Sequence, residues 1–246
     1  MKKVRMSLQG IAFVLLAGAV LAACKKKNND PTPPAPKKAT IQVVHASPKT
    51  GELTTEINSK KVPDKLAFRN LPKAYVTVSA DKEAVLKFSL EGNKVVLETK
   101  YTLVDKENYS LFLYDTLQNN KIKALLLKDN LGDPGKGKTS VRFLHLSPNS
   151  AAVDIDVFKD KDSLRLVNNT AYIGDKPDAT ALAAFKPLAA GDYRVKIKTK
   201  SGTKVTTILD IPSVKLVEGK VVTLYLGGLK NATGATGVGL HVWQHQ

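Results

Sequence analysis

An eight-residue string occurs twice in this 246-residue chain, and its recurrence limits what the chain can fold into more than any other feature. Ile41-Gln42-Val43-Val44-His45-Ala46-Ser47-Pro48 returns as Val141-Arg142-Phe143-Leu144-His145-Leu146-Ser147-Pro148, an offset of 100 residues. His, Ser and Pro are identical, and every other pair is chemically similar except Ala46 and Leu146. The echo continues at Leu53, Thr55 and Ile57 against Val153, Ile155 and Val157, and resumes after an insertion in the second copy at residues 103–113 against 216–226. Self-similarity of this kind points to one structural unit built twice. Between the copies, residues 130–138 are rich in Gly and Pro, the residues that punctuate domains. The expected division is a first repeat over 41–131, a linker over 132–138 and a second repeat over 139–246.

Inside each repeat, short apolar-alternating runs are separated by turn residues, and no long stretch carries a helical period. Tyr75-Val76-Thr77-Val78, Tyr193 to Lys198 and Val221 to Leu226 are the clearest examples. The expected fold is all-β, with two tandem immunoglobulin-like β-sandwich domains of around seven strands each, large enough to fold without disulfides. A barrel of similar size is the alternative.

The N-terminus carries an address. Lys2, Lys3 and Arg5 precede an uncharged stretch from Met6 to Ala23 that is short and Gly/Ala-rich for a bilayer span, so residues 1–23 read as a signal peptide. Leu21-Ala22-Ala23-Cys24 resembles the bacterial lipobox, in which small residues admit the lipoprotein signal peptidase to the bond before a cysteine bearing diacylglycerol. The resemblance implies lipidation of Cys24 and further acylation such as palmitate, and several buried chains anchor far more firmly than one. Cys24 is the only cysteine, which leaves no partner for an internal disulfide. Residues 24–40, the lipidated Cys with four prolines and five lysines, have no apolar period and read as an extended tether.

Charge narrows the partners. The formal charge is +16, which falls to +13 when Lys2, Lys3 and Arg5 leave with the signal peptide. Lys25, Lys26, Lys27, Lys37 and Lys38 against Asp30 place +4 in the tether, leaving +9 on residues 41–246. An excess of that size favours anionic surfaces such as phospholipid, lipopolysaccharide or acidic glycan. Nucleic acid is disfavoured by compartment.

The strand ending in His-x-Ser-Pro, the alternating strand after it, and Leu188-Ala189-Ala190-Gly191-Asp192-Tyr193-Arg194-Val195 together resemble the bacterial cell-envelope repeat known as domain of unknown function 4397. The resemblance covers nearly all of 41–246 as two copies. In the first copy, Leu71-Pro72-Lys73-Ala74-Tyr75-Val76 lacks the glycine of the Leu-x-x-Gly-x-Tyr-x-Val segment, which changes the turn expected there. The tether is similar to those of Bacteroidota lipoproteins, and Lys25 after the lipidated residue resembles cargo sorted to the outer membrane. What the family implies is fold and envelope location; no activity comes with it.

Several residues invite chemistry. His45 with Ser47, and His145 with Ser147, suggest nucleophile and base. Residues two apart on a strand, however, sit about 6.6 Å apart along it. By parity His45 lies with Ile41 and Val43, and His145 with Val141 and Phe143, so both should point into a core, with Ser47-Pro48 and Ser147-Pro148 opening turns. Asp154 and Asp156 flank Ile155 and suggest Ca²⁺, but the first copy has Thr54 and Glu56 there, and a solvated face is expected. His241 and His245 lie about 13 Å apart on a strand, too far to share a metal ion. Trp243, on the same face, is either a sugar-stacking platform or, as favoured, cover for the core edge.

Arg194, Lys196, Lys198 and Lys200 alternate with Tyr193, Val195, Ile197 and Thr199, and Lys204 lies across a turn, so a basic stripe within about 20 Å is expected on one sheet face. It could meet phosphate or uronate groups, or serve only to keep an exposed strand soluble. Asp115-Thr116-Leu117 and Asp162-Ser163-Leu164 are similar to the O-glycosylation acceptor pattern of Bacteroidota and are expected in loops. No catalytic residue, metal site or cofactor is assigned. The expected function is a membrane-anchored, non-catalytic envelope module that binds a glycan or a protein; the alternative is a carbohydrate-active or other hydrolase accessory protein with a site in a cleft.

Overall fold

The structure is a computed structural model that describes residues 35–70 and 75–245. Residues 1–34, which hold the expected signal peptide, Cys24 and most of the expected tether, lie outside the described residues, as do Leu71 to Ala74. Residues 36–246 form one compact unit.

The chain is all-β. Eight strands come first: β1 (Lys38–His45), β2 (Thr54–Ile57), β3 (Lys60–Lys61), β4 (Val76–Ser79), β5 (Ala84–Leu90), β6 (Lys94–Tyr101), β7 (Asn108–Gln118) and β8 (Lys121–Asp129). Eight more follow: β9 (Lys138–His145), β10 (Val153–Lys159), β11 (Asp162–Thr170), β12 (Lys186–Ala189), β13 (Gly191–Ser201), β14 (Lys204–Leu216), β15 (Val221–Gly227) and β16 (Gly239–Gln244). One short helix, α1 (Ala179–Ala183), interrupts the crossover from β11 to β12, with the Asp178 side chain capping its N-terminus.

Each set makes two four-stranded sheets in the same order. β4-β1-β7-β8 corresponds to β12-β9-β15-β16, and β3-β2-β5-β6 to β11-β10-β13-β14. In both, the opening strand runs parallel to the seventh. Each half therefore uses eight strands, four on four, where about seven were expected.

Burial follows from layering. Tyr193, Val195 and Ile197 of β13 are buried while Asp192 and Arg194 are exposed, the alternation of a sheet with one face in water. β15 is different: all seven of its residues, Val221 to Gly227, are buried. β7 is buried from Tyr109 to Asp115. Strands that are covered on both faces read as continuous apolar runs, and the cores show why. One core joins the first two sheets through Ile41, Leu86, Phe88 and Leu111, and another joins the last two through Val141, Ile155, Ile197 and Leu224. A third lies between the halves, where Val44, Ala46, Phe112, Tyr114 and Leu127 meet Leu144, Leu146, Tyr225 and Trp243. The result is a stack of four sheets.

The register also corrects the alignment of the turn before the tyrosine strand. Ile41 pairs with Val76 and Val141 with Lys186, while Ile57 pairs with Leu86 and Val157 with Val195. The counterpart of Leu188 to Tyr193 is thus Val78 to Ala84, not Leu71 to Val76. Ala84 stands where Tyr193 does, so the hydrogen bond from the Tyr193 hydroxyl to the Ala189 carbonyl (2.8 Å) has no equivalent hydroxyl in the first half.

Candidate functional site

Pairing registers place residues of the two halves in one-to-one correspondence. Ile41 lies opposite Tyr109 and Val141 opposite Val222; Lys128 lies opposite Tyr109 and Gln244 opposite Val222. Gln42 then matches Arg142, Ser110 matches Thr223, Phe112 matches Tyr225, Leu127 matches Trp243 and Asp129 matches His245. All ten are buried at the junction. The contacts are reciprocal as well. The backbone N–H of Arg69 donates to the His45 carbonyl (2.9 Å) and that of Ile173 to the His145 carbonyl (3.1 Å), so the two crossovers leave from equivalent points. Arg69 reaches into the second half, donating to the carbonyls of Gly227 (3.3 Å) and Gly237. From the other side, the Tyr172 ring sits edge-on to Tyr114 at 6.2 Å, and the Tyr114 hydroxyl donates to the Gly174 carbonyl (3.1 Å). Matching patches that contact each other reciprocally are the signature of a two-fold interface.

One end of this junction is apolar and aromatic. Phe112 packs edge-on to Tyr225 (6.2 Å) and to Trp243 (5.7 Å), contacts worth about 0.5–1.5 kcal/mol each beyond area burial. Trp243 is therefore neither a sugar platform nor cover for the edge of one sandwich; it is the filling between two.

The other end is polar and joined by a ring of hydrogen bonds and an ion pair. Arg142 Nε donates to Thr223 Oγ1 (2.8 Å), and Thr223 is within 2.8 Å of His245 Nε2. His245 Nδ1 is 2.9 Å from the Tyr75 hydroxyl, which donates to Asp129 Oδ2 (3.1 Å). Arg142 Nη2 donates to Ser110 Oγ (3.0 Å), Ser110 donates to Asp129, and Arg142 Nη1 lies 2.8 Å from Asp129 Oδ1. With His245 neutral and its proton on Nδ1, the hydrogen bonds of the ring run in a consistent sense, while Arg142 Nη1 and Asp129 Oδ1 meet as an ion pair without a hydrogen bond. Burial, with the Arg142 charge adding to it, pushes the His245 pKa down to about 3, which keeps the imidazole neutral at neutral pH. Burial raises the Asp129 carboxyl, and Arg142 opposes the rise. The side chains of Arg142 and Asp129 are 1% and 0% exposed. Phe185, from the crossover carrying α1, closes over the ring, 4.5 Å from the Arg142 guanidinium and edge-on to His245. This cluster has the residue types of acid–base chemistry, with Arg142, Asp129 and His245 buried and Tyr75 half-buried.

The His-x-Ser-Pro motifs lie at the opposite end of β1 and β9. His45 Nδ1 accepts from the Ser47 backbone N–H (3.3 Å), so Nε2 carries the proton and donates to the Gly51 carbonyl (2.8 Å). His145 repeats this with Ser147 (3.4 Å) and Ala151 (3.0 Å). Burial lowers both histidine pKa values. Ser47 bonds Thr50, and Ser147 bonds Ser150 (2.7 Å) and the Gly228 carbonyl (2.7 Å). Pro48 is buried and Pro148 half-buried in the same turns. Each motif thus staples the loop that follows it.

The basic stripe is largely neutralised. Arg194 makes a two-pronged contact with Asp210 (2.8 and 2.7 Å), Lys196 lies 3.7 Å from Asp210, and Lys198 bonds Asp156 (2.7 Å). Lys200 is exposed near the turn. Asp156 also receives Arg165 (2.8 Å), and Asp154 receives Arg165 (3.2 Å) and the Asn169 backbone N–H (2.7 Å). Asp154 and Asp156 are anchors of an ion-pair ladder instead of a solvated face. Its cross-strand partners were invisible before β10, β11, β13 and β14 were put in register. Asp115-Thr116-Leu117 and Asp162-Ser163-Leu164 fall inside β7 and at the start of β11, not in loops; Asp115 is buried and bonded to Lys123.

Among the described residues, no group of three His, Cys, Asp or Glu could hold a metal ion, and no helix is long and apolar enough to cross a membrane. Residues 39–156 match the family described as Domain of unknown function (DUF4397), a span that takes in β1 to β9 and enters β10. No curated protein matches. Among solved structures, a leucine-rich repeat protein from Bacteroides thetaiotaomicron VPI-5482 aligns over 76% of this chain at 11% identity, with a TM-score of 0.20. The alignment covers 25% of that protein, so the chain spans about a quarter of its length.

Proposed function

We propose that this chain is a lipid-anchored binding module of the bacterial cell envelope, a non-catalytic double sandwich held at the outer membrane through Cys24 and presenting its surface to an envelope glycan or protein. The observation that carries the proposal is the hydrogen-bonded ring that joins the halves at the junction. The residues best suited to proton transfer, Asp129, His245 and Tyr75, spend their hydrogen-bonding capacity on joining the halves. The motif histidines and serines spend theirs on stapling loops. Two sandwiches fixed in this way make one rigid body, and a rigid presenter loses little entropy on binding. The lipobox-like Leu21 to Cys24 and the lysine- and proline-rich residues after it supply the anchor and spacer. The two halves would be copies of one module, each with its own core, fused through a shared face.

The test has two arms. Expressed in a Gram-negative host, the full chain should fractionate with outer membrane and incorporate labelled palmitate, and Cys24→Ala should lose both. The mature chain with Cys24→Ser should capture envelope polysaccharide or protein from a membrane extract in a pull-down. A wild-type chain recovered in the soluble fraction without label defeats the anchor, and turnover of an envelope glycan by the purified chain defeats the non-catalytic assignment.

A further inference from the structure

The second half opens a side cleft of about 470 Å³ where β11 and β12 part, beside the free upper edge of β9. That volume falls in the range of small-molecule sites, about 300–1,000 Å³. β12 pairs with β9 only from Lys138 to Val141, and the crossover meets β9 again where Ile173 donates to the His145 carbonyl, so β9 has no paired strand on that side between those points. The two halves differ here. Leu53 bridges to Leu66 as Val153 pairs with Thr170, so Leu66 and Thr170 occupy equivalent positions. Leu66 packs onto the first core, whereas Thr170 lines the cleft.

The lining has a definite chemistry. Arg165 and Lys186 bring cations from opposite walls, Asn168 and Thr170 bring an amide and a hydroxyl, and Phe143 and Leu166 supply apolar surface. No carboxylate lines it. Asp154 and Asp156 hold Arg165 through three of its five N–H groups, which fixes the guanidinium and leaves two to donate. Lys186 is exposed and makes no ion pair among the described residues. Fixed donors and a cation over a partly apolar floor match a ring that carries hydroxyls on its rim, C–H groups on its faces and one carboxylate.

We propose that this cleft binds an acidic sugar, with the carboxylate between Arg165 and Lys186, the hydroxyls on Asn168 and Thr170, and the ring against Phe143 and Leu166. The inference rests on the binding-module reading and gives it a ligand class. The sugar could be free or the end of an envelope polysaccharide, and the two are separated by comparing monomer with oligomer.

The experiment is calorimetry and amide NMR on the mature chain with Cys24→Ser, titrated with galacturonic acid, trigalacturonate, galactose and inorganic phosphate. Galacturonate should bind at least tenfold tighter than galactose and shift the Asn168 and Thr170 amides. Trigalacturonate binding tighter than the monomer identifies a polysaccharide end, and equal binding identifies the free sugar. Thr170→Leu, which installs the first half's residue, and Lys186→Glu should each weaken binding at least tenfold with the melting temperature retained, while Lys200→Glu on the stripe should leave it unchanged. Lys186 is exposed, so its variant reports even if Thr170→Leu fails to fold. Equal affinity for galactose, displacement of galacturonate by equimolar phosphate, no binding of any probe, or unchanged binding by Lys186→Glu overturns the assignment. Retained capture of envelope material by Lys186→Glu in the pull-down would sink the cleft and spare the binding module.

Discussion

The two halves share a strand order and meet through equivalent residues, yet they contribute unequal chemistry to the meeting. At matched positions the first half supplies Gln42, Ser110 and Asp129, and the second supplies Arg142, Thr223 and His245. Two copies of the second face would set Arg142 against a histidine, and two copies of the first would set Asp129 against a glutamine. Only the unlike pair places Arg142 against Asp129, so the charge complement depends on the difference between the halves. The crossovers differ in the same spirit. From Asn70 the first half reaches Tyr75 within a few residues, while the second takes residues 171–185 and lays α1 and Phe185 over the junction. The loop after β15 is also longer than the turn between β7 and β8, and it receives Arg69. The shared strand order supplies the frame, and the differences between the halves shape the junction and open the cleft.

The strongest way to break this comparison is to remove the charge from one side. Arg142→Leu leaves Asp129 buried without its cation and should destabilise the chain by about 3–5 kcal/mol. Gln42→Leu, the same change at the matched neutral position, should cost about 1 kcal/mol or less. Adding Asp129→Leu to Arg142→Leu removes both charges and should recover most of the loss, since buried pairs are often replaceable by well-packed apolar residues. Urea unfolding followed by Trp243 fluorescence reads all of these, because that indole sits in the same junction. Equal effects at positions 42 and 142 would mean that the halves contribute alike.

Much of this was legible before any coordinates. The His-x-Ser-Pro repeat marked where each half begins, and strand parity sent His45 and His145 inward, where backbone carbonyls hold them. Trp243 was misjudged because alternation along β16 distinguishes two faces without saying that both are covered. Val221 to Leu226 also reads as an alternating run, yet all of β15 is buried, and Thr223 as its one non-aromatic polar residue is the hint of a strand between two layers. The ring of Arg142, Asp129, His245 and Tyr75 could not be read. Its members lie far apart in sequence, and a lone Arg within an apolar strand does not reveal its partner. The basic stripe failed for a related reason, since Asp156 and Asp210 neutralise it from neighbouring strands whose register no local pattern encodes.

Acid titration sharpens the comparison, because the junction histidines belong to the second half alone. Burial pushes His241 to about 4 and His245 to about 3, against an ordinary 6.5, where the first half has Leu125 and Asp129. Below pH 6.5 the unfolded chain takes up protons that the folded chain refuses, so stability present above that pH falls as pH drops toward these values. Asp129 shifts in the opposite sense: its raised carboxyl pKa favours the folded state at low pH and withdraws that support as pH rises. Variants separate the two contributions. His241→Leu, the first half's residue, should reduce the loss between pH 7 and pH 5 by about 1–3 kcal/mol, given about 1.4 kcal/mol per pH unit per group. An unchanged pH slope would remove His241 from the acid sensitivity and leave it to His245 and to His45 and His145, which the halves share.

The smallest expected difference lies in the motif that the halves have in common. Ser47 and Ser147 occupy the same place in the same turn, and each bonds the hydroxyl three residues on, at Thr50 and Ser150. Ser147 alone also donates to the carbonyl of Gly228, at the start of the long loop that Arg69 grips from the other half. Ser147→Ala therefore strands a buried carbonyl and should cost about 1–3 kcal/mol, whereas Ser47→Ala removes one hydroxyl pair and should cost about 0.5–1.5 kcal/mol. In a chain of this size each kcal/mol moves the melting temperature by about 2–4 °C. Thermal scans should thus separate the variants by a few degrees, and hydrogen exchange should locate the added loss in residues 228–238. Coincident melting curves would mean that the Ser147 hydroxyl braces only its own turn, and that the long loop is held by Arg69 and by the paired hydrogen bonds of Asn149 with Lys230.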